Sequence, residues 1–188
     1  MNRRSLIKNL VWLIGASAFA PSCLNSSNQK TIGLKNIALE TDDQILISEI
    51  CETLIPKTDT PGAKDLNLPE FVLKMLDETL PKSDQKNIIL GLKDFKAFVL
   101  KKSGKSYTDL EPKEKEAILL ELETKRNKPA AAEKPIPESP LSLFYSAIKS
   151  QTLFAYTTSQ YFMTKVNIYE LVPGRYKVHF PIKNLKTV

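Results

Sequence analysis

Three prolines and a glycine set the geometry of the stretch Cys51-Glu-Thr-Leu-Ile-Pro-Lys-Thr-Asp-Thr-Pro-Gly-Ala63 and its continuation Leu68-Pro-Glu-Phe71. Upstream, Leu46, Ile47, Ile50 and Leu54 recur at helical spacing, so a helix is expected over about 42–54. Thr41 and Gln44 stand at the spacing of a capping box at its start. Pro56 has no N–H and biases Ile55 toward extended geometry, which stops that helix. Thr60-Pro61-Gly62-Ala63 places Pro and Gly at the central positions of a type II turn, where the second φ is positive. Pro69 sits where a first helical residue tolerates a missing donor. A corner this stiff loses little entropy on docking. It reads equally as a contact surface, centred on Pro56, Asp59, Thr60, Pro61, Gly62, Pro69, Glu70 and Phe71, or as a plain helix-to-helix corner.

Four more helical segments follow the same logic. Phe71, Val72, Met75, Leu76 and Leu80 mark a helix over about 69–80, ended by Pro81. Ile88, Leu92, Phe95 and Val99 mark one over about 84–102, capped by Ser83 and broken by Gly104. Gly91 inside it costs about 1 kcal/mol relative to Ala, and a close helix crossing explains its presence. Pro112 opens a helix over about 112–125, with Ile118, Leu119 and Leu122 inward. Residues 126–138 form a Pro/Ala/Lys linker without hydrophobic period.

Ser139-Pro140 starts a fifth helix, expected to reach about 164. Its apolar residues Leu141, Phe144, Ile148, Leu153, Phe154 and Phe162 spread over more than one face, which predicts the central helix. Tyr156-Thr-Thr-Ser-Gln-Tyr161 fits an interface or a core edge, with Tyr156, Ser159 and Tyr161 as the interface candidates. In the tail, Pro173-Gly174 predicts a second turn. Tyr176, Val178 and Phe180 then alternate with Lys177 and His179, as in an extended strip lying on the body. The expected architecture is all-α: a bundle of about five helices over 41–188, with that C-terminal strip.

The first 22 residues read as an export signal. Arg3-Arg4-Ser-Leu-Ile-Lys8 precedes an apolar run from about Leu10 to Ala20, too short for a comfortable membrane span. The arginine pair matches twin-arginine export, which implies the twin-arginine translocase as a partner. Cys23, after Ala20-Pro21-Ser22, resembles a lipoprotein cleavage site; an unlipidated cysteine near an ordinary cleavage point is the alternative. Lipidated, Cys23 would tether the chain to the membrane on the periplasmic side of a bacterial envelope. Residues 23–40 would then be a flexible tether. Cys51 would be a small buried hydrophobe with no disulfide partner.

Composition narrows the function. The formal net charge is +6. Removing Arg3, Arg4 and Lys8 with the leader lowers the basic excess to about three, and no dense basic face interleaved with aromatics argues for nucleic acid. Two cysteines and one histidine leave little for a metal site, and no Gly-rich phosphate cradle is present. His179 has no visible orienting partner as a base. No catalytic, cofactor-binding or metal-binding residue is expected in the chain.

Taken together, these pieces resemble the gluconate 2-dehydrogenase subunit 3 family. The resemblance rests on the Arg3-Arg4 leader, on Glu52–Ala63 with Leu68–Phe71, on Leu153-Phe-Ala-Tyr-Thr-Thr-Ser159, and on Tyr169-Glu-Leu-Val-Pro-Gly-Arg-Tyr176. Ala155 and Gln160 depart from the glycine and acidic residue usual there. The resemblance implies a non-catalytic small subunit whose partner is a flavoprotein of the glucose–methanol–choline type. FAD would sit in that partner, and a cytochrome c subunit with haem can accompany it. It also implies an escort role: the leader carries the folded flavoprotein across the membrane. Partner contacts would then fall on the connector, on Tyr156–Tyr161 and around Pro173, Gly174 and Tyr176. A stand-alone envelope lipoprotein that binds a small ligand in a closed pocket is the competing expectation.

Overall fold

The computed structural model describes residues 32–126 and 139–167. Arg3, Arg4 and Cys23, most of the 126–138 linker, and Pro173, Gly174, Tyr176 and His179 lie outside the described residues. The described chain is helical and contains no strand: α1 Thr41–Leu54, α2 Leu68–Glu78, α3 Lys82–Ser103, α4 Pro112–Arg126 and α5 Pro140–Thr158. A 3-10 turn, Tyr107–Asp109, joins α3 to α4, and a π-helical turn, Phe162–Val166, follows α5. The expected all-α bundle of five helices is what forms.

Helix α5 is the hub, packing against each of the other four helices and most extensively against α3. Its buried stripe is Phe144, Tyr145, Ile148, Thr152 and Ala155. Facing it, α3 buries Ile88, Leu92, Phe95 and Val99, the residues singled out by their spacing. The Phe95 ring lies 5.7 Å from that of Phe144 and 5.3 Å from that of Tyr107, so one aromatic cluster joins α3, α5 and the 3-10 turn. Gly91 makes the close crossing expected of it. A Cβ there would fall 2.1 Å from the Pro140 carbonyl oxygen and 2.5 Å from Phe144 Cβ. Ile118, Leu119 and Leu122 of α4 are inward as expected.

Several local expectations fail for identifiable reasons. The start of α1 is one residue earlier than the Thr41–Gln44 box: Glu40 is the cap, and its N–H donates to Asp43 Oδ2 at 3.1 Å. Gln44 is engaged elsewhere, its amide pairing with both the N–H and the carbonyl of Ile32. Pro81, not Ser83, occupies the cap position of α3, and the Ser83 hydroxyl reaches Asp84 instead. Helix α5 does not run to 164. Ser159 is extended (φ −64°, ψ 149°), and the chain resumes as the π turn. Nor is α5 buried all round, because Leu153 and Phe154 are 45% and 51% exposed.

The described end of the expected tether is part of the body. Ile37 is buried, and Ile32, Leu34 and Leu39 pack against the core. The Asp77 carboxylate, in the last turn of α2, accepts the N–H groups of Lys35, Asn36 and Ile37 at 2.8, 2.7 and 2.8 Å. Three successive donors on one carboxylate give residues 32–40 a fixed path although they form no helix.

Candidate partner surface

The connector between α1 and α2 is held by side chains of α1. Glu52, in the last turn of the helix, reaches over the loop: Oε2 accepts from Lys64 N at 2.8 Å and Oε1 from Lys57 N at 3.3 Å. The backbone closes the same corner, with Ala63 N donating to the Ile55 carbonyl at 2.9 Å and Leu68 N to the Ala63 carbonyl at 3.0 Å. Asp65 takes the Gly62 N–H at 3.3 Å and pairs with Lys57 at 3.1 Å.

The expected type II turn at Thr60–Ala63 is not formed. Asn67 (φ 54°) and Gly104 (φ 70°) are the positive-φ residues described, and Gly62 is not among them. Glycine is needed at 62 for space: a Cβ would lie 2.5 Å from Glu52 Oε1 and 2.7 Å from Lys57 N. Gly62 thus serves the corner by the space it leaves rather than by a positive φ. Pro69 is buried at the start of α2, while Pro56, Asp59 and Glu70 are exposed and Thr60, Pro61 and Phe71 are half-buried.

Behind the connector lies an ionic group that the sequence reading did not single out. Glu49 is bridged by Lys64 from the loop and by Lys115 from α4, the latter at 2.9 Å. The Lys115 ammonium also lies 5.8 Å from the centre of the Tyr107 ring, and Tyr107 OH donates to Thr53 Oγ1 at 3.0 Å. Burial by itself would raise the Glu49 pKa, but its two lysines hold it below the usual carboxylate value. Burial raises the Tyr107 hydroxyl well above its ordinary value. These groups brace one another, and no nucleophile–base pair emerges from them. Among the described residues no cluster of His, Cys, Asp or Glu could hold a metal ion.

The structure brings two of the separately chosen stretches together. Phe71, at the end of the connector, lies 6.0 Å ring to ring from Phe154 of α5. Leu153 is beside Phe154 on the outer side of α5, and Val166 in the following turn is also exposed. Tyr156 stacks edge-on against Phe162 at 5.4 Å, which folds the π turn back on the helix. The C-terminal end of α5 and the turn after it thus carry two aromatic pairs, and Leu153, Phe154 and Val166 leave large apolar side chains exposed there. The hydroxyls of Tyr156–Tyr161 behave differently from an interface row. Ser159 Oγ donates to the Tyr156 carbonyl at 2.7 Å and accepts from Phe162 N at 3.2 Å, while Thr157 and Thr158 bond back to α5 carbonyls. Ser159 therefore shapes the end of α5, and Tyr156 and Tyr161 are half-buried beside it. Leu153 and Phe154 are the surface residues that the sequence reading missed, because an apolar run on a hub helix reads as burial.

Elsewhere, Asp42, Ile45, Lys96, Leu100 and Tyr107 to Asp109 line an open groove of about 510 Å³ between α1, α3 and the 3-10 turn. Among the described residues no helix is long and apolar enough to cross a membrane.

Residues 41–174 match the family model described as gluconate 2-dehydrogenase subunit 3, a span that runs from the first residue of α1 past the end of the π turn. Comparison with curated proteins and with solved structures gives no match. The match covers well over half of the chain and contains the connector, the hub helix and the Phe71–Phe154 contact, so this chain belongs to the gluconate 2-dehydrogenase subunit 3 family.

Proposed function

We propose that the chain is the non-catalytic small subunit of a periplasmic FAD-dependent dehydrogenase of the glucose–methanol–choline type, acting on sugars, sugar acids or related alcohols. The observation that carries this reading is the family match over 41–174. In this reading the Arg3-Arg4 leader recruits the twin-arginine translocase, and the body binds a flavoprotein that has already folded around FAD. Cys23 then anchors the complex at the membrane, and a cytochrome c subunit takes the electrons. The braced connector and the Phe71–Phe154 face support a binding role: one is stiff, and the other leaves large apolar side chains uncovered. The test is affinity purification of the tagged full chain from its own host. A flavin-containing dehydrogenase is expected with it, and its absence refutes the reading. Replacing Arg3 and Arg4 by Lys should strand that flavoprotein in the cytoplasm; unchanged export refutes the escort role.

A second reading, an envelope lipoprotein that binds a small ligand, draws on the groove beside Lys96 and Tyr107. It predicts a monomer that keeps a small molecule through purification, with no flavoprotein attached.

A further inference from the structure

We propose that residues 32–40 are a releasable strap, latched to the bundle by Asp77 and Gln44, whose release frees a further length of chain ahead of the first helix. Asp77 is a poor choice for its helical position. It lies in the last turn of α2, where the helix dipole disfavours a negative charge and no basic residue of that turn offsets it. It is also almost fully buried, at 2% exposure. What compensates is the strap, whose Lys35, Asn36 and Ile37 N–H groups all point at its carboxylate. The strap gains further bonds from Asn36 Nδ2 to the Asp77 carbonyl at 3.1 Å and from Lys82 Nζ to Asn36 Oδ1 at 2.8 Å. At its other end Gln44 holds Ile32 by both backbone groups. Ile37 is the apolar plug between the two clamps.

Every one of these strap hydrogen bonds is made to a residue in the first or last turn of a helix, and none replaces a helical hydrogen bond. The strap can therefore detach while the five helices stay folded, as one local opening unit. Released, it adds a segment that extends to about 30 Å. In the anchoring reading given above, the freed residues lengthen the tether that begins at Cys23. Only this meaning rests on that reading; the latch itself does not.

Limited trypsin digestion of the full chain tests it. Cleavage after Lys35 requires the strap to leave the body, because the protease must draw the neighbouring residues into its cleft. The intact chain should resist cleavage at Lys35. Asp77→Ala, and separately Ile37→Asp, should accelerate it by about tenfold or more, since cleavage follows the population of the open form. Cleavage within the helices and the far-UV circular dichroism should stay unchanged. Ile37→Asp alters no helical residue and decides the matter where Asp77→Ala fails to fold. Equal cleavage at Lys35 in the intact chain and the variants would show that there is no latch. Cleavage that rises in step throughout the helices would show that the strap is inseparable from the fold. Neither outcome depends on whether a flavoprotein co-purifies.

Discussion

Gly91 of α3 and Pro140 of α5 are in backbone contact: a Cβ on Gly91 would stand 2.1 Å from the Pro140 carbonyl oxygen. The fold's largest helix–helix interface is set at this point, because α5 enters the bundle over it. Gly91→Ala gains about 1 kcal/mol of helix propensity. It must also push the start of α5 away, and overpacking of this kind costs about 1–3 kcal/mol or more. Both obstacles, the Pro140 carbonyl and Phe144 Cβ, are close to rigid backbone. The expected result is net destabilisation of up to about 2 kcal/mol, read as a lower urea midpoint. A stabilised variant would mean that the crossing is looser than described.

Gly62 makes a contrasting prediction, because its neighbour is partly a side chain. Gly62→Ala meets Glu52 Oε1 and the Lys57 N–H. Glu52 can swing aside, but only by giving up the two loop N–H groups it holds. Charge-assisted bonds of this sort contribute about 1.5–3 kcal/mol together with their desolvation terms. Gly62→Ala and Glu52→Ala should therefore loosen the same corner and should not be additive when combined. Hydrogen exchange at Lys57 and Lys64 is the measurement; additive losses would separate the two residues.

Two partnered carboxylates, Asp77 and Glu49, make stability fall in acid. Burial alone would raise the Asp77 pKa, but the N–H groups of Lys35, Asn36 and Ile37 hold it below the ordinary value. Glu49 is likewise lowered by Lys64 and Lys115 against the effect of its burial. A folded pKa below the unfolded one means that the unfolded chain binds more protons. The stabilisation is thus complete above the unfolded carboxylate pKa, about 4, and is lost as pH falls through the lower folded values. Urea midpoints measured downward from pH 6 should drop below about pH 4, and Asp77→Asn should flatten that slope. An unchanged slope in Asp77→Asn would remove Asp77 as a source.

Cys51 is fully buried with its Sγ 3.3 Å from Thr152 Oγ1, and burial raises its thiol pKa to about 11. At neutral pH it is protonated and enclosed, so a thiol reagent should modify it only after urea unfolding. Labelling of the native chain at Cys51, followed by peptide mass spectrometry, would contradict the packing of α1 on α5.

How much of this was legible beforehand differs by the range of the interaction. The buried faces of α1, α3 and α4 follow from spacing within one segment, and Ile50, Leu92, Phe95 and Leu122 are where that spacing puts them. Gly91 was legible too, since a glycine inside a strong helix needs a packing reason. What stayed hidden depends on partners distant in sequence. Asp77 finds its donors some 40 residues upstream; its one local sign was an acidic residue in a last turn without a basic neighbour. Gly62 carried a turn signature that Glu52 overrides by occupying the space a side chain would need. In the candidate surface, Phe71 was read correctly as part of a special corner. Leu153 and Phe154 were assigned to the core because hydrophobicity alone does not say which face of a hub helix remains open.

That open face yields the prediction closest to function. Phe154 is about half exposed and packs ring to ring on Phe71 of α2 at 6.0 Å, and Leu153 stands exposed next to it. Exposed positions tolerate polar substitution within about 0.5 kcal/mol when nothing packs over them. An apolar pair at the centre of an interface, by contrast, contributes about 2 kcal/mol or more per residue. Leu153→Asp combined with Phe154→Asp should therefore cost the isolated chain little more than the Phe71–Phe154 contact, about 0.5–1.5 kcal/mol, while abolishing recovery of the flavoprotein. Lys86→Asp, on an exposed part of α3, serves as the control and should leave recovery intact. If the double variant still retains the flavoprotein, the partner docks elsewhere on the subunit. If it unfolds the isolated chain, Leu153 and Phe154 belong to the core after all, and the face at the end of α5 is closed by the chain itself.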